Sequence, residues 1–185
     1  MIKLIRPTLF LLAVGSILLL SDLGNRSNQK QEEEFFRMAR EVCQDLGIEL
    51  LEKSIESVSQ VYESALSLGM AQVEALWIGG DNVVEPAIGA YCAAAAKFSI
   101  PVFSNTPEHA FSRTLLSLGA NYYQIGQNTA NMVNEILAGR LEPSGVEIKN
   151  IVPQKLFVND SIRRTLRDQW IIPENLSARI DTLIQ

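Results

Sequence analysis

Residues 73–107, VEALWIGGDNVVEPAIGAYCAAAAKFSIPVFSNTP, constrain the fold of this chain more than any other stretch. A short apolar run at 73–78 is bounded by Gly79 and Gly80. A helical pattern follows over about 82–98, and a second apolar run at 100–103 stops at Asn105, Thr106 and Pro107. This order is strand, helix, strand. Two strands joined by a crossover helix lie parallel, as neighbours or near neighbours, in a sheet covered on both faces. The polar residues at 79–82 and 104–106 then fall at the carboxyl ends of the strands, where open α/β sheets bind their ligands.

The same alternation extends in both directions. An apolar stripe of Phe35, Phe36, Ala39, Val42, Cys43 and Leu46 marks a helix from Gln31, with Glu32, Glu33 and Glu34 at its positive end and Gly47 past its close. Residues 48–55 read as a strand. Ser57 stands as the cap of a further short helix that Gly69 closes. Beyond Pro107 come a short helix, a strand at 114–118, and a helix from Asn121 to Leu137 that Gly139 stops. Residues 146–152 and 155–158 read as extended, 161–167 as a helix, 170–173 as extended, and a last helix starts at Pro173. The predicted class is α/β: a three-layer, open, mostly parallel sheet with helices on both faces.

The amino-terminal residues 1–25 read differently from the domain at 26–185. Lys3 and Arg6 precede the uncharged run TLFLLAVGSILLLS, which ends at Asp22. As a helix, residues 8–20 would be about 20 Å long, short of a hydrocarbon core of roughly 30 Å. Counting 4–23, with Arg6 reaching back to the interface, comes close to a full span. No small-residue cleavage site follows, so an uncleaved membrane anchor or signal segment is expected here, formed by an amino-terminal hydrophobic helix.

Composition excludes several partners. A net charge of −5 and an isoelectric point near 5.0 argue against nucleic acid. The basic cluster Arg163, Arg164 and Arg167 reads as a solvated helix face. Two cysteines, Cys43 and Cys92, sit among apolar neighbours as small hydrophobes, and a lone histidine with no Cys-x-x-Cys pair gives no metal site. That histidine, His109, reads as a surface residue in the polar segment PEHAF. No serine, cysteine or histidine has an evident base partner, so no catalytic residue, enzymatic activity or cofactor is expected.

The candidate ligand contacts lie at the two strand ends. Asp81 stands at the entrance of the crossover helix with Asn82 beside it, and neither a Gly-x-x-x-x-Gly-Lys nor a Gly-x-Gly-x-x-Gly loop surrounds them. A phosphate would meet Asp81 as a like charge. A zwitterion fits better: Asp81 accepts its ammonium while helix N–H groups and Asn82 hold its carboxylate. Asn105 and Thr106 form the facing polar edge. The plain alternatives are that Asp81 only caps its helix and that Asn105 and Thr106 only make a turn before Pro107. Trp77 and Tyr91 read as core aromatics, and at least one of Tyr122 and Tyr123 is expected to pack.

The run VEALWIGGDNVVEPAI, then IPVFSNTP, LGANYYQIGQNTA and EILAG, resembles the second lobe of ABC-transporter substrate-binding proteins, in the periplasmic-binding-protein-like type I branch that includes tryptophan and tyrosine binders. Residues 31–51 resemble that lobe's first helix and second strand, and NIVPQKLFVN with RDQWIIPENL resembles the closing segment. The resemblance implies a periplasmic component of an ABC uptake transporter that holds an amino-acid-like solute and delivers it to an ABC permease. It carries Asp81, Asn82, Asn105 and Thr106 over as solute contacts. Family members carry a complete first lobe ahead of this region. The helix from Asn121 to Leu137 and the strand after it would return to that lobe in the family, so their apolar faces are expected to need another partner, a missing first lobe or a homo-oligomer. In the family, residues 15–22 would occupy a central strand; the length of the uncharged run upstream favours the anchor helix instead. The alternative to a solute binder is a membrane-anchored interaction module without ligand.

Overall fold

The computed structural model describes residues 16–22, 29–79, 83–146 and 152–185. Among the described residues, seven strands form one sheet in the order β2-β1-β3-β4-β5-β6-β7, with β1 Ser16–Asp22, β2 Glu49–Ile55, β3 Ala75–Ile78, β4 Val102–Ser104, β5 Leu116–Ala120, β6 Gln154–Asn159 and β7 Thr182–Ile184. The first five run parallel; β6 is antiparallel to β5, and β7 is parallel to β6. The helices are α1 Gln29–Leu46, α2 Val61–Met70, α3 Ile88–Lys97, α4 Tyr122–Leu137, α5 Asp160–Arg163 and α6 Glu174–Ser177. The expected strand, helix and strand over residues 73–107 are β3, α3 and β4, but the helix starts later than the expected position 82, at Ile88 behind the 3-10 turn Glu85–Ala87, so its first residue follows Ala87 and not Asp81.

Strand β3 shows how the layers arise. Alternate side chains of a strand face opposite sides. Leu76 and Ile78 enter a core with Val61, Ala65 and Leu68 of α2 and Tyr91, Ala94 and Ala95 of α3. Ala75 and Trp77 enter a second core with Cys43 and Leu46 of α1, Leu115 and Trp170. Helices thus cover both faces, as expected. Helices α2 and α3 meet closely at Gly69, where a Cβ would lie 2.1 Å from the Phe98 ring. Gly69 therefore serves this contact rather than ending α2, which continues to Met70. Gly47 and Gly139, at φ 67° and 70°, do end α1 and α4 in the left-handed conformation. Both cysteines are free and buried.

The expectation for residues 15–22 is corrected. Ser16–Asp22 form an inner strand, pairing along its full length with β2 and over Ile17–Leu20 with β3. A central parallel strand and a membrane helix both read as continuous apolar runs, so periodicity cannot separate them. What decides is backbone pairing: with β1 removed, the inner edges of β2 and β3 would face each other with unsatisfied N–H and C=O groups. The rest of the proposed anchor lies outside the described residues. Among the described residues, no helix is long and apolar enough to cross a membrane.

Elsewhere the differences are local. Residues 114–118 were expected as a strand, but Thr114 and Leu115 are buried ahead of it and β5 runs from Leu116 to Ala120. Ser57 precedes a 3-10 turn without capping it by its side chain; its Oγ lies 2.9 Å from Ser59 Oγ. The stretch 146–152 falls mostly outside the described residues. The terminal strand β7 follows α6 where no strand was expected.

Candidate functional site

The strand order 2-1-3-4-5 places a topological switch between β1 and β3, since the chain leaves β1 toward β2 and leaves β3 toward β4. Ile78 and Ser104 are register partners at the carboxyl ends of β3 and β4. The segments that follow them, beginning at Gly79 and Asn105, therefore leave the same sheet edge side by side. The expected contacts Asp81 and Asn82 lie outside the described residues. Asn105 and Thr106 are half-buried on this edge, directly after β4.

The loop after β4 is held from three directions. The buried Ser104 Oγ accepts a hydrogen bond from the Thr106 backbone N–H at 3.0 Å and lies 2.7 Å from His109 Nδ1. Thr106 Oγ1 donates to Glu85 Oε1 at 3.0 Å, which ties this loop to the 3-10 turn Glu85–Ala87 ahead of α3. On the third side β5 presses against the loop: a Cβ on Gly119 would sit 1.8 Å from the Asn105 carbonyl oxygen, so only glycine fits. The 3-10 helix Pro107–Ser112 carries His109 back under the loop and donates from His109 N to Thr106 O at 3.1 Å.

Two expectations are corrected here. His109 is not a surface residue: it is 8% exposed, and burial lowers its pKa below the ordinary imidazole value, against the opposing pull of Glu85 and Glu108. A serine does have an imidazole partner, since Ser104 and His109 touch. Ser104 is itself 4% exposed and its Oγ also accepts the Thr106 N–H, so the hydroxyl is occupied within the fold rather than offered to a substrate. The missed signal was parity. Val102 and Ser104 share one face of β4, and a serine on the face that buries Val102 needs a polar partner beneath the sheet. Glu85 gave no comparable signal, because its contact to Thr106 spans 21 residues.

The remaining expectations divide. Tyr91 is fully buried and its hydroxyl donates to the Trp77 carbonyl at 3.4 Å, as expected of a core aromatic. Tyr122 and Tyr123 both stay exposed, although one was expected to pack. Asn121 caps α4 by accepting from Gln124 N at 3.1 Å, yet no residue of that helix is buried. The basic cluster is engaged: Arg163 and Arg164 both pair with Asp160 and hold its carboxyl below the usual carboxylate range, and Arg167 pairs with Asp168 and donates to the Val73 carbonyl at 3.2 Å. A depression of about 370 Å³ lies toward the β6–β7 border, lined by Leu118, Gln154, Arg179 and Asp181 among others, and neither Asn105 nor Thr106 lines it.

Several solved structures share this fold. A conserved domain protein from Vibrio cholerae O1 biovar eltor is 26% identical with a TM-score of 0.73, over 94% of this chain and 56% of that one. An ABC domain from Streptococcus pneumoniae solved in complex with L-Trp is 19% identical with a TM-score of 0.70, over 93% of this chain and 56% of that one. A substrate binding protein with adhesive properties from Clostridium difficile, in its ligand-free open form, is 21% identical with a TM-score of 0.71, over 93% and 55%. This chain thus spans a little over half the length of these three structures. No curated protein matches the sequence. The family described as ABC transporter substrate binding protein matches residues 14–184, nearly the whole length, and the chain belongs to that family.

Proposed function

We propose that this chain is a solute-binding component of an ABC-type uptake transporter, acting outside the cytoplasm and delivering an amino acid or similar small zwitterion to a permease. The observation that carries the reading is the register pairing of Ile78 with Ser104, which starts the two candidate ligand segments side by side at the carboxyl ends of β3 and β4, next to the switch between β1 and β3. In this reading Asp81 accepts the ammonium, and Asn82, Asn105 and Thr106 hold the polar groups at the other end of the solute. The pneumococcal relative's complex with L-Trp supports an amino acid as the first solute to try. Calorimetric titration of the chain with L-tryptophan, L-tyrosine and a panel of other amino acids tests it. Binding of one of them, weakened about tenfold or more in Asp81→Asn and in Asn105→Ala, is the expected result. Absence of heat across the whole panel would refute solute binding by this chain.

One observation favours a second reading. Helix α4 exposes Tyr122, Tyr123, Met132, Val133 and Leu137, an apolar set that a protein partner would cover. In that reading the domain is an interaction module, docking the equivalent of a first lobe or a second copy of itself. Light scattering across a concentration series separates the two. A monomer at every concentration that still binds an amino acid leaves the first reading alone.

A further inference from the structure

We propose that His109 is a positioning residue for the solute-contact loop, holding Asn105 and Thr106 in place through the Ser104 hydroxyl. The inference rests on the solute-binding reading for its purpose, and on geometry for its substance. Ser104 Oγ accepts from the Thr106 N–H at 3.0 Å, so its proton is directed elsewhere, and His109 Nδ1 stands 2.7 Å away. With Nδ1 as the acceptor of that proton, the ring is neutral and protonated at Nε2. The ring is anchored in turn by its backbone: His109 N donates to Thr106 O at 3.1 Å, and Thr114 N donates to His109 O at 3.4 Å. Glu85 takes the Thr106 hydroxyl from the opposite side. Side chain and backbone of Thr106 are therefore fixed by different elements, and Asn105 is carried between them.

Protonation of the ring works against this arrangement. Nδ1 becomes a donor, Ser104 Oγ must accept from both Nδ1 and Thr106 N, and the serine proton loses its acceptor. The charged groups that act on the ring are Glu85, from the turn before α3, and Glu108, on its own 3-10 helix. Of the elements packed against this 3-10 helix, α3 carries Tyr91 and Cys92, both kept neutral by burial, and the buried polar residues Ser104 of β4, Ser117 of β5 and Asn159 of β6 carry no charge. Burial keeps the ring neutral near pH 7 in spite of the two glutamates.

Because His109 is the only histidine in the chain, its ring nitrogens can be followed without background in the intact protein by nitrogen-15 NMR. The expected result is the Nε2–H form at neutral pH. Exchange of the Thr106 amide, corrected for its intrinsic pH dependence, should accelerate as the ring titrates. In His109→Leu that amide should exchange about tenfold faster than in wild type, while His109→Asn, which keeps an acceptor near the Nδ1 position, should stay close to wild type and lose the pH step. None of these readouts needs a solute, so they stand or fall apart from the binding reading. If L-tryptophan does bind, its affinity should fall about tenfold in His109→Leu and be restored in His109→Asn. An Nδ1–H ring at neutral pH would overturn the proposal. So would a Thr106 amide indifferent to ring titration in the wild-type protein, a measurement that survives even if the leucine variant does not fold.

Discussion

The loop after β4 and the helix α4 both follow a strand directly, yet they end in opposite states. In the loop region Ser104 and His109 are buried, and the backbone N–H and the hydroxyl of Thr106 each have a partner. Helix α4 has a capping asparagine, a left-handed Gly139 at its end and an amphipathic sequence, but no buried residue in sixteen. Leu137 is 80% exposed, and Tyr122 and Tyr123 are 74% and 76% exposed. Local signals are enough to wind a helix. They do not supply a surface for it to lie against, and most helix stability in proteins comes from such packing. The contrast marks the loop after β4 as held on several sides and α4 as a helix that the described residues leave without a buried side chain.

The largest expected effect comes from pairing one substitution on each side of this comparison. Leu76→Ala, at a fully buried position of β3, should cost about 2–5 kcal/mol, whereas Leu137→Ala on α4 should stay within ~0.5 kcal/mol. Urea unfolding of both variants reads the difference. A large loss for Leu137→Ala would mean that α4 is packed in solution, and the comparison would break. Next in size is Gly119→Ala, whose new methyl would meet the Asn105 carbonyl at 1.8 Å. It should cost about 1–3 kcal/mol and shift the amide resonances of residues 104–107 in particular. A neutral outcome there would show that the β4 loop has slack the geometry does not display.

The smallest effects should appear in the pH dependence of stability. The His109 pKa is lowered by folding, so the unfolded chain binds more protons in the interval between the folded value and the ordinary one near 6.5. Its contribution is therefore whole above about pH 6.5 and lost as pH falls toward the folded value. Asp160 is also lowered, by Arg163 first and then Arg164. Its contribution is present above the ordinary carboxylate value and is lost in more acid solution as pH falls through the folded value. Denaturation midpoints measured from pH 7.5 downward should show the upper step in wild type and not in His109→Asn. Retention of that step in the variant would assign it to another group.

Much of the architecture is legible in the sequence. The apolar runs ending at Gly79 and Asn105 mark β3 and β4, and the stripe through Ala39, Cys43 and Leu46 marks α1. The half of the candidate site that is described, Asn105 and Thr106, lies at the strand end where the alternation of elements put it. Its supporting residues were not legible. His109 looks polar and exposed in its own sequence context, and becomes a buried partner only because a 3-10 turn folds back under Ser104. Glu85 meets Thr106 only because β3 and β4 are neighbours.

What the sequence settled alone is the α/β alternation, through hydrophobic period and turn residues that act over a few positions. What the tertiary structure decided is the use to which ambiguous segments are put. Ser16–Asp22 carries an apolar run that suits a membrane or a sheet interior equally, and it is a strand because β2 and β3 stand on either side with backbone groups to satisfy. The same holds for His109, whose burial depends on residues it meets through space. Backbone pairing and burial are properties of neighbours, and a linear pattern specifies a segment's shape more strongly than its company.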